Sequence, residues 1–206
     1  MNKTQQEILK HLSSDEYISG AEIGNSLSIS RNAISKNIKV LKDKYNINIS
    51  ASTKSGYKLD ENVELLDLNL LKDNIEDVEY FYSIDSTSKY AVENSFATTV
   101  NKLFVAEHQT NGLGRFHRKW YSPFAKNIYA TMLEFVDTDI SKLPGLSLVV
   151  SLAIADVLSS MDLSPKLKWP NDILIDNKKI AGVIINVTAE MNDKAKLFIG
   201  FGINVN

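Results

Sequence analysis

Residues 105–120 read Val105-Ala-Glu-His-Gln-Thr-Asn-Gly-Leu-Gly-Arg-Phe-His-Arg-Lys-Trp120. The stretch leaves an apolar strand, Leu103-Phe-Val105, and breaks at Asn111-Gly112. It then places two glycines and three cations, Arg115, Arg118 and Lys119, within eight residues. Glycine admits close backbone approach and positive φ, and arginine offers a planar fork of donors suited to carboxylate or phosphate. A strand feeding such a loop predicts an anion cradle of backbone amides and guanidinium groups, against the plainer reading of a solvated basic turn. Neither Gly-x-x-x-x-Gly-Lys-Ser/Thr nor Gly-x-Gly-x-x-Gly occurs in the chain. A nucleotide bound here is therefore held by another device than a P-loop or a doubly wound sheet.

Downstream, Ser122-Pro-Phe124 leads to a strand over 127–135, and Pro144-Gly145 opens a long helix to Met161. In Lys166-Leu-Lys-Trp-Pro-Asn-Asp172 the apolar Leu167 and Trp169 alternate with Lys166 and Lys168 as on an edge strand, and Pro170 stops the ladder. Residues 173–175 and 180–188 pair as a hairpin about the polar turn 176–179. A last strand at 197–199 runs into the glycine corner Gly200-Phe-Gly-Ile-Asn204. Upstream, a strand spans 78–83, and Asp85-Ser-Thr-Ser88 starts a helix to about Phe96. Hydroxyls at a helix start cap it, and they also sit where free amides can hold a polar ligand head. The pattern is α+β with a mostly antiparallel or mixed sheet. Lys168, set between Leu167 and Trp169 before Pro-Asn-Asp, is the lysine best placed to aim an ammonium into a pocket.

The first sixty residues have a different character. Thr4-Gln-Gln-Glu7 predicts a capping box for a helix burying Ile8, Leu9 and Leu12. Ser19-Gly-Ala-Glu22 repeats it before Ile23 and Leu27. Ser28-Ile-Ser30 turns the chain, and Ser30 caps a third helix with Ile34, Ile38 and Leu41 on its apolar face. The other face carries Arg31, Asn32, Ser35, Lys36, Asn37, Lys39 and Lys42, which predicts a helix-turn-helix. Strands at 46–50 and 56–59 around Lys54 complete a winged variant. Ser30, Arg31, Asn32 and Ser35 are the candidates for base edges or nearby phosphates, and Lys36, Lys39 and Lys54 for phosphates alone. Three phosphate contacts bind weakly and salt-dependently, so a dimer on a paired site is expected. Acidic residues 60–77 form a linker with one helix, dividing domains 1–62 and 66–206. Charge follows the division: residues 1–60 hold nine Lys/Arg against six Asp/Glu in a chain of net charge −2.

The chain has no cysteine, which excludes disulfides, thiol catalysis and thiolate zinc sites. His108 and His117 lie nine apart without a carboxylate at ligand spacing, so no metal site is predicted. The start is polar, and the longest apolar run, Leu146–Leu158, is interrupted by Ser147, Ser151 and Asp156. A cytoplasmic protein that does not engage membrane is expected.

Gln109-Thr-Asn-Gly-Leu-Gly-Arg115, Arg118-Lys-Trp120, Lys168-Trp-Pro-Asn-Asp172, Lys179-Ile-Ala-Gly182 and Gly200-Phe-Gly-Ile-Asn204 together resemble the biotin protein ligase family. The similarity is to its bifunctional members, in which a winged helix precedes the ligase and represses biotin-synthesis genes. The resemblance implies a biotin/lipoate ligase-like catalytic domain that forms biotinyl-5'-AMP from biotin and Mg–ATP. The biotinyl group then passes to a lysine of a biotin carboxyl carrier domain. It implies biotin contacts from Ser86, Thr87, Ser88, Gln109, Gly112, Leu113, Gly114, Arg115 and Lys168. Lys168 and Arg115 would be the catalytic pair, Lys168 stabilising charge where carboxylate meets phosphate and Arg115 retaining the adenylate. Arg118, Trp120, Asn171 and Asn204 would serve the nucleotide. Operator DNA and a ligand-linked homodimer are the implied partners. The sequence departs from the family pattern at Leu113, at Phe116-His117, at Ser88 and at Asn186. It also ends where family members continue through the rest of the catalytic domain and a small C-terminal β-domain, so an incomplete catalytic domain is expected. A DNA-binding biotin sensor without ligase activity is the alternative; a lipoate ligase suits the Lys-Trp-Pro-Asn-Asp element less well.

Overall fold

In the computed structural model the described residues are 1–73, 75, 77–137, 143, 145–188 and 195–205. Pro144, read above as part of a helix start, and Asn74 and Glu76 of the acidic segment lie outside them. The chain divides into two compact units, Met1–Leu65 with Pro123–Ala125, and Leu66–Ser122 with Lys126–Asn206.

The first unit packs α1 (Lys3–His11), α2 (Gly20–Leu27) and α3 (Arg31–Tyr45) against the hairpin β1 (Ile49–Ser52) and β2 (Gly56–Leu59). The α1 capping box uses Asn2 and Gln5, not Thr4 and Glu7. Asn2 Oδ1 accepts from Gln5 N at 2.8 Å and Gln5 Oε1 from Asn2 N at 3.0 Å. Asparagine is as good a cap as threonine, and Glu7, one turn into the helix, pairs with Lys10 instead. Ser19 and Ser30 cap α2 and α3 as expected, accepting from Glu22 N at 3.0 Å and Ala33 N at 3.2 Å. Ile8, Ile23, Ile34 and Leu41 are fully buried where these helices meet. β1 starts later than the sequence suggested. Asn46 takes the left-handed conformation (φ 52°) that ends α3, and Ile47 N–H returns to Leu41 O at 3.2 Å, so these residues belong to the helix stop. Ile18 adds a short rung to Tyr57.

Among the described residues the second unit forms a seven-stranded sheet in the order β3-β4-β5-β9-β8-β7-β6, with β3 and β4 parallel and the other strand pairs antiparallel. Its strands are β3 (Val78–Phe81), β4 (Lys102–Ala106), β5 (Asn127–Val136), β6 (Lys166–Lys168), β7 (Asp172–Ile175), β8 (Lys178–Thr188) and β9 (Ala195–Asn204). Alternation along these strands sends one set of side chains to each face. Leu133 and Phe198 pack with Ala91 of α5 (Thr87–Asn94) on one face. On the other, Ala181 and Ile203 pack with Leu158 of α6 (Leu146–Ser160), while Leu103 and Ala130 meet Leu66 and Leu71 from the segment of α4 (Leu68–Lys72).

One correction matters for function. Residues 200–204 are not a corner beyond a short strand. They are the second half of β9, paired along ten residues with β5 and also with β8, in the middle of the sheet. Glycine inside a strand often marks a close approach by another group, and here Ile184 covers Gly200 and Trp120 covers Gly202.

At the start of this unit, Leu66 N–H and Tyr80 O–H both donate to Glu107 Oε1 at 2.8 Å. Glu107 is 1% exposed. Burial pushes its carboxyl above the usual carboxylate range, with those two hydrogen bonds acting the other way.

Candidate functional site

On the α5 face a cavity of about 50 Å³ opens over β5, β9 and β8. Beside it lies a hollow of about 370 Å³ that shares Ser88, Leu113, Gly114 and Ile184 with it.

One wall is the start of α5. Ser86, Thr87 and Ser88 are each buried, with Ser86 as the N-cap accepting from Lys89 N. Gln109 closes on them: its Oε1 accepts from Thr87 N at 2.8 Å and from Thr87 Oγ1 at 3.3 Å, and its Nε2 donates to Ser122 Oγ at 3.0 Å. Asn186, from β8, donates to Ser88 Oγ at 3.2 Å, so two of the departures noted in the sequence touch each other.

The opposite wall is Trp120. A Cβ built on Gly202 would sit 2.7 Å from ring atoms of Trp120, and one on Gly182 3.4 Å. The indole can therefore lie against β9 only because Gly202 carries no side chain, while at Gly182 of β8 it is the end of Lys179, 3.0 Å from such a Cβ, that uses the bare position. Lys179 Nζ stands 5.1 Å from the indole centroid and 2.7 Å from Asp172 Oδ1. Asn204 Nδ2 fixes its backbone by donating to Lys179 O at 3.1 Å. Arg115 Nη1 donates to Asn171 Oδ1 at 3.0 Å, and Asn171 Nδ2 ties to Val183 O of β8 at 2.7 Å.

Of the residues expected at a ligand, Ser86, Thr87, Ser88, Gln109, Leu113, Gly114 and Arg115 do line this cavity, as do Trp120 and Asn171. Four do not. Lys168 lies exposed on β6, the sheet's edge. Two strand spacings of about 4.8 Å separate β6 from β8, and it is Lys179 of β8 that reaches the cavity. Gly112 makes its close approach to Ser122 Oγ and Trp120 O, inside the loop. Arg118 is exposed, its backbone engaged with Gly114 and Arg115. Asn204 acts on Lys179 and is not itself at the lining.

The amide cradle is corrected too. Gly114 N–H goes to Arg118 O at 2.7 Å, Asn111 N–H to Asp85 O at 2.8 Å and Trp120 N–H to Gly112 O at 2.8 Å. These three donors are spent on backbone acceptors, and of the loop's side chains Leu113, Arg115 and Trp120 line the cavity. Sequence reasoning missed Lys179 in a polar turn and Thr131 in a strand of ordinary β-formers. For Lys179 the signal was Lys179-Ile-Ala-Gly182, which sets a cation three residues before a bare position. Among the described residues no three His, Asp or Glu side chains gather into a metal cage.

In the first unit Ser30, Arg31, Asn32, Ser35, Lys36 and Lys39 are all exposed along α3, and Lys54 is exposed at the hairpin tip. Asn37 is different: it donates to Ala33 O and accepts from Gln5, so it belongs to the packing.

Comparison with known proteins matches residues 80–204 to the model of the Biotin/lipoate A/B protein ligase family. The chain belongs to that family. Residues 4–58 match a helix-turn-helix (HTH) domain model. Among relatives of this biotin/lipoate ligase family member, "Bifunctional ligase/repressor BirA" of Salmonella typhimurium is 33% identical over 96% of this chain and 62% of its own length. The protein of the same name from Escherichia coli is 32% identical over 99% of this chain and 64% of its own. The chain thus spans less than two thirds of the length of these relatives. A solved biotin protein ligase from Aquifex aeolicus, in complex with biotin and ATP, is 31% identical with a TM-score of 0.53, covering 64% of this chain and 53% of that one. The Leishmania major biotin protein ligase with biotinyl-5-AMP is 28% identical with a TM-score of 0.51, over 63% and 57%. Among the described residues, no helix is long and apolar enough to cross a membrane.

Proposed function

We propose that this chain binds biotin and ATP, makes biotinyl-5'-AMP, and passes the biotinyl group to a lysine of a biotin carboxyl carrier domain. The observation that carries this reading is the meeting of two unlike walls over one bare floor. Ser86, Thr87, Ser88 and Gln109 offer hydroxyl and amide groups to a cyclic urea. Trp120 and Lys179 offer an indole face and a cation to a nucleotide. The inner cavity takes only the polar end of a ligand, and the rest lies toward the larger hollow that shares Leu113 and Ile184.

In the first step a biotin carboxylate oxygen attacks the α-phosphorus of ATP and pyrophosphate leaves. In the second the acceptor amine attacks the acyl carbon, AMP leaves, and a proton is lost from nitrogen. The work of the chain is placement and charge stabilisation. Beside Lys168, which stands in register with Asp172 and through it with Gly182, Lys179 supplies a cation at the carboxylate–phosphate junction, its ammonium held between Asp172 and the indole and backed by Asn204. Arg115, anchored on Asn171, guards the adenylate. Mg2+ enters with the ATP phosphates.

The N-terminal unit meets operator DNA through α3 and Lys54, as one half of a ligand-linked dimer, in the cytoplasm. Mass measurement after incubation with biotin and Mg–ATP, then with a carrier domain, tests the ligase reading. Adenylate followed by a biotinylated lysine is expected; biotin binding without adenylate would leave only a DNA-binding sensor.

A further inference from the structure

A line of buried polar groups joins the floor of the cavity to its wall, and none of the roles above uses its first member. Thr131 stands mid-way along β5 and is fully buried, between Tyr129 and Leu133 on the same face. Its Oγ1 donates to Thr87 Oγ1 at 3.0 Å. Thr87 Oγ1 donates in turn to Gln109 Oε1 at 3.3 Å, and Gln109 Nε2 to Ser122 Oγ at 3.0 Å.

The polarity of the line is set at one end. The backbone N–H of Thr87 can only donate, so the Gln109 atom 2.8 Å away is the oxygen, and the amide nitrogen faces Ser122. Thr87's proton is drawn to that oxygen, which leaves its own oxygen to accept from Thr131. Every proton in the line then has one place to go. What remains for the cavity is a fixed pattern: lone pairs on Thr131 and Thr87, and the second amide N–H of Gln109.

We propose that Thr131 is a positioning residue for ligand recognition, whose proton, delivered to Thr87, locks the donor and acceptor pattern that reads the ureido ring. The inference rests on the biotin reading above. Removing that proton leaves a Thr87 lone pair without its donor and only the 3.3 Å bond to Gln109 Oε1 to orient the hydroxyl, so the wall's preference for one pattern of donors and acceptors weakens. A buried hydroxyl that has lost its partner also weakens whatever it holds.

The test measures calorimetric affinities of the full chain for biotin, desthiobiotin and 2-iminobiotin, in wild type, Thr131→Val and Thr131→Ser. Desthiobiotin keeps the cyclic urea and loses the sulfur; 2-iminobiotin puts a donor where biotin has its carbonyl acceptor. Valine keeps the branched shape without the hydroxyl. Thr131→Val is expected to weaken biotin about tenfold and narrow the biotin-to-iminobiotin ratio by about the same factor. The biotin-to-desthiobiotin ratio should stay put, and Thr131→Ser should restore wild-type values. Equal weakening of all three ligands by Thr131→Val, an unmoved iminobiotin ratio, or no recovery in Thr131→Ser would overturn the positioning role while leaving the biotin reading intact. A wild-type chain that binds no biotin would remove that reading, and this inference with it.

Discussion

Gly202 and Gly200 lie two residues apart on the same face of β9, yet they sit under different walls of the cavity. Alanine at 202 puts a Cβ 2.7 Å from Trp120 Cε2 and Nε1 and 2.8 Å from Cζ2, contacts that have to open to about 3.4 Å or more. β9 is held by β5 on one side and β8 on the other, so the indole must move away from the strand. Overpacking of this kind costs about 1–3 kcal/mol, which lowers Tm by roughly 2–4 °C per kcal/mol in a chain of this size. On the proposed ligase reading the larger effect falls on the nucleotide, whose face contact would go with the ring. Alanine at 200 instead meets Ile184 Cγ2 at 2.8 Å and Thr131 Oγ1 at 3.5 Å, on the hydroxyl side. Gly202→Ala is thus expected to weaken ATP by about tenfold to a hundredfold and biotin by less than about threefold, and Gly200→Ala to do the reverse. Calorimetry with each substrate separately, alongside calorimetric melting, reads the contrast. If both variants weakened both substrates equally, or neither substrate noticed, the assignment of opposite walls would be refuted.

Three further outcomes are expected. Lys179→Met keeps the aliphatic stem beside Trp120 and removes the charge; adenylate formation should fall about 10²–10³-fold, with biotin affinity nearly unchanged, in a pyrophosphate-release assay. Lys36→Ala with Lys39→Ala should lower the salt slope of duplex DNA binding by about two per chain, measured by anisotropy over a salt series. Glu107 carries a raised folded pKa, so the folded unit holds its proton more tightly than the unfolded chain. Its contribution is fully present below the ordinary carboxylate value and is lost as pH rises through the folded value. Chemical denaturation across that window should show a stability decline that Glu107→Gln flattens.

Much of the first unit was legible because its signals are local. Ser19 and Ser30 cap the helices they precede, and Ile34, Ile38 and Leu41 repeat at the helical period whatever surrounds them. The second unit yielded its strands and hairpins by the same means, and most of the hydroxyl wall. What escaped depends on partners far along the chain. Period-two alternation gives a lysine its face but not its strand's place in the sheet, so Lys168 at the edge and Lys179 at the cavity looked alike. Glycines 200 and 202 read as chain breakers because the groups that fill their face come from elsewhere in the chain, Ile184 over the first and Trp120 over the second. The loop amides looked free because their acceptors lie at positions such as Asp85 and Arg118. Asn2 outcompeted Thr4 as a cap because two good caps lay within one turn, a choice that propensity alone does not decide.

The bare floor under Trp120 has a consequence for how such a protein can diversify. Position 202 admits no larger residue without evicting the indole, and position 182 none without displacing the end of Lys179, so drift in the gene is opposed there and channelled into the rim. A descendant with a taste for another acid would acquire it at Ser88, Leu113 or Asn186, and would inherit the nucleotide berth unaltered.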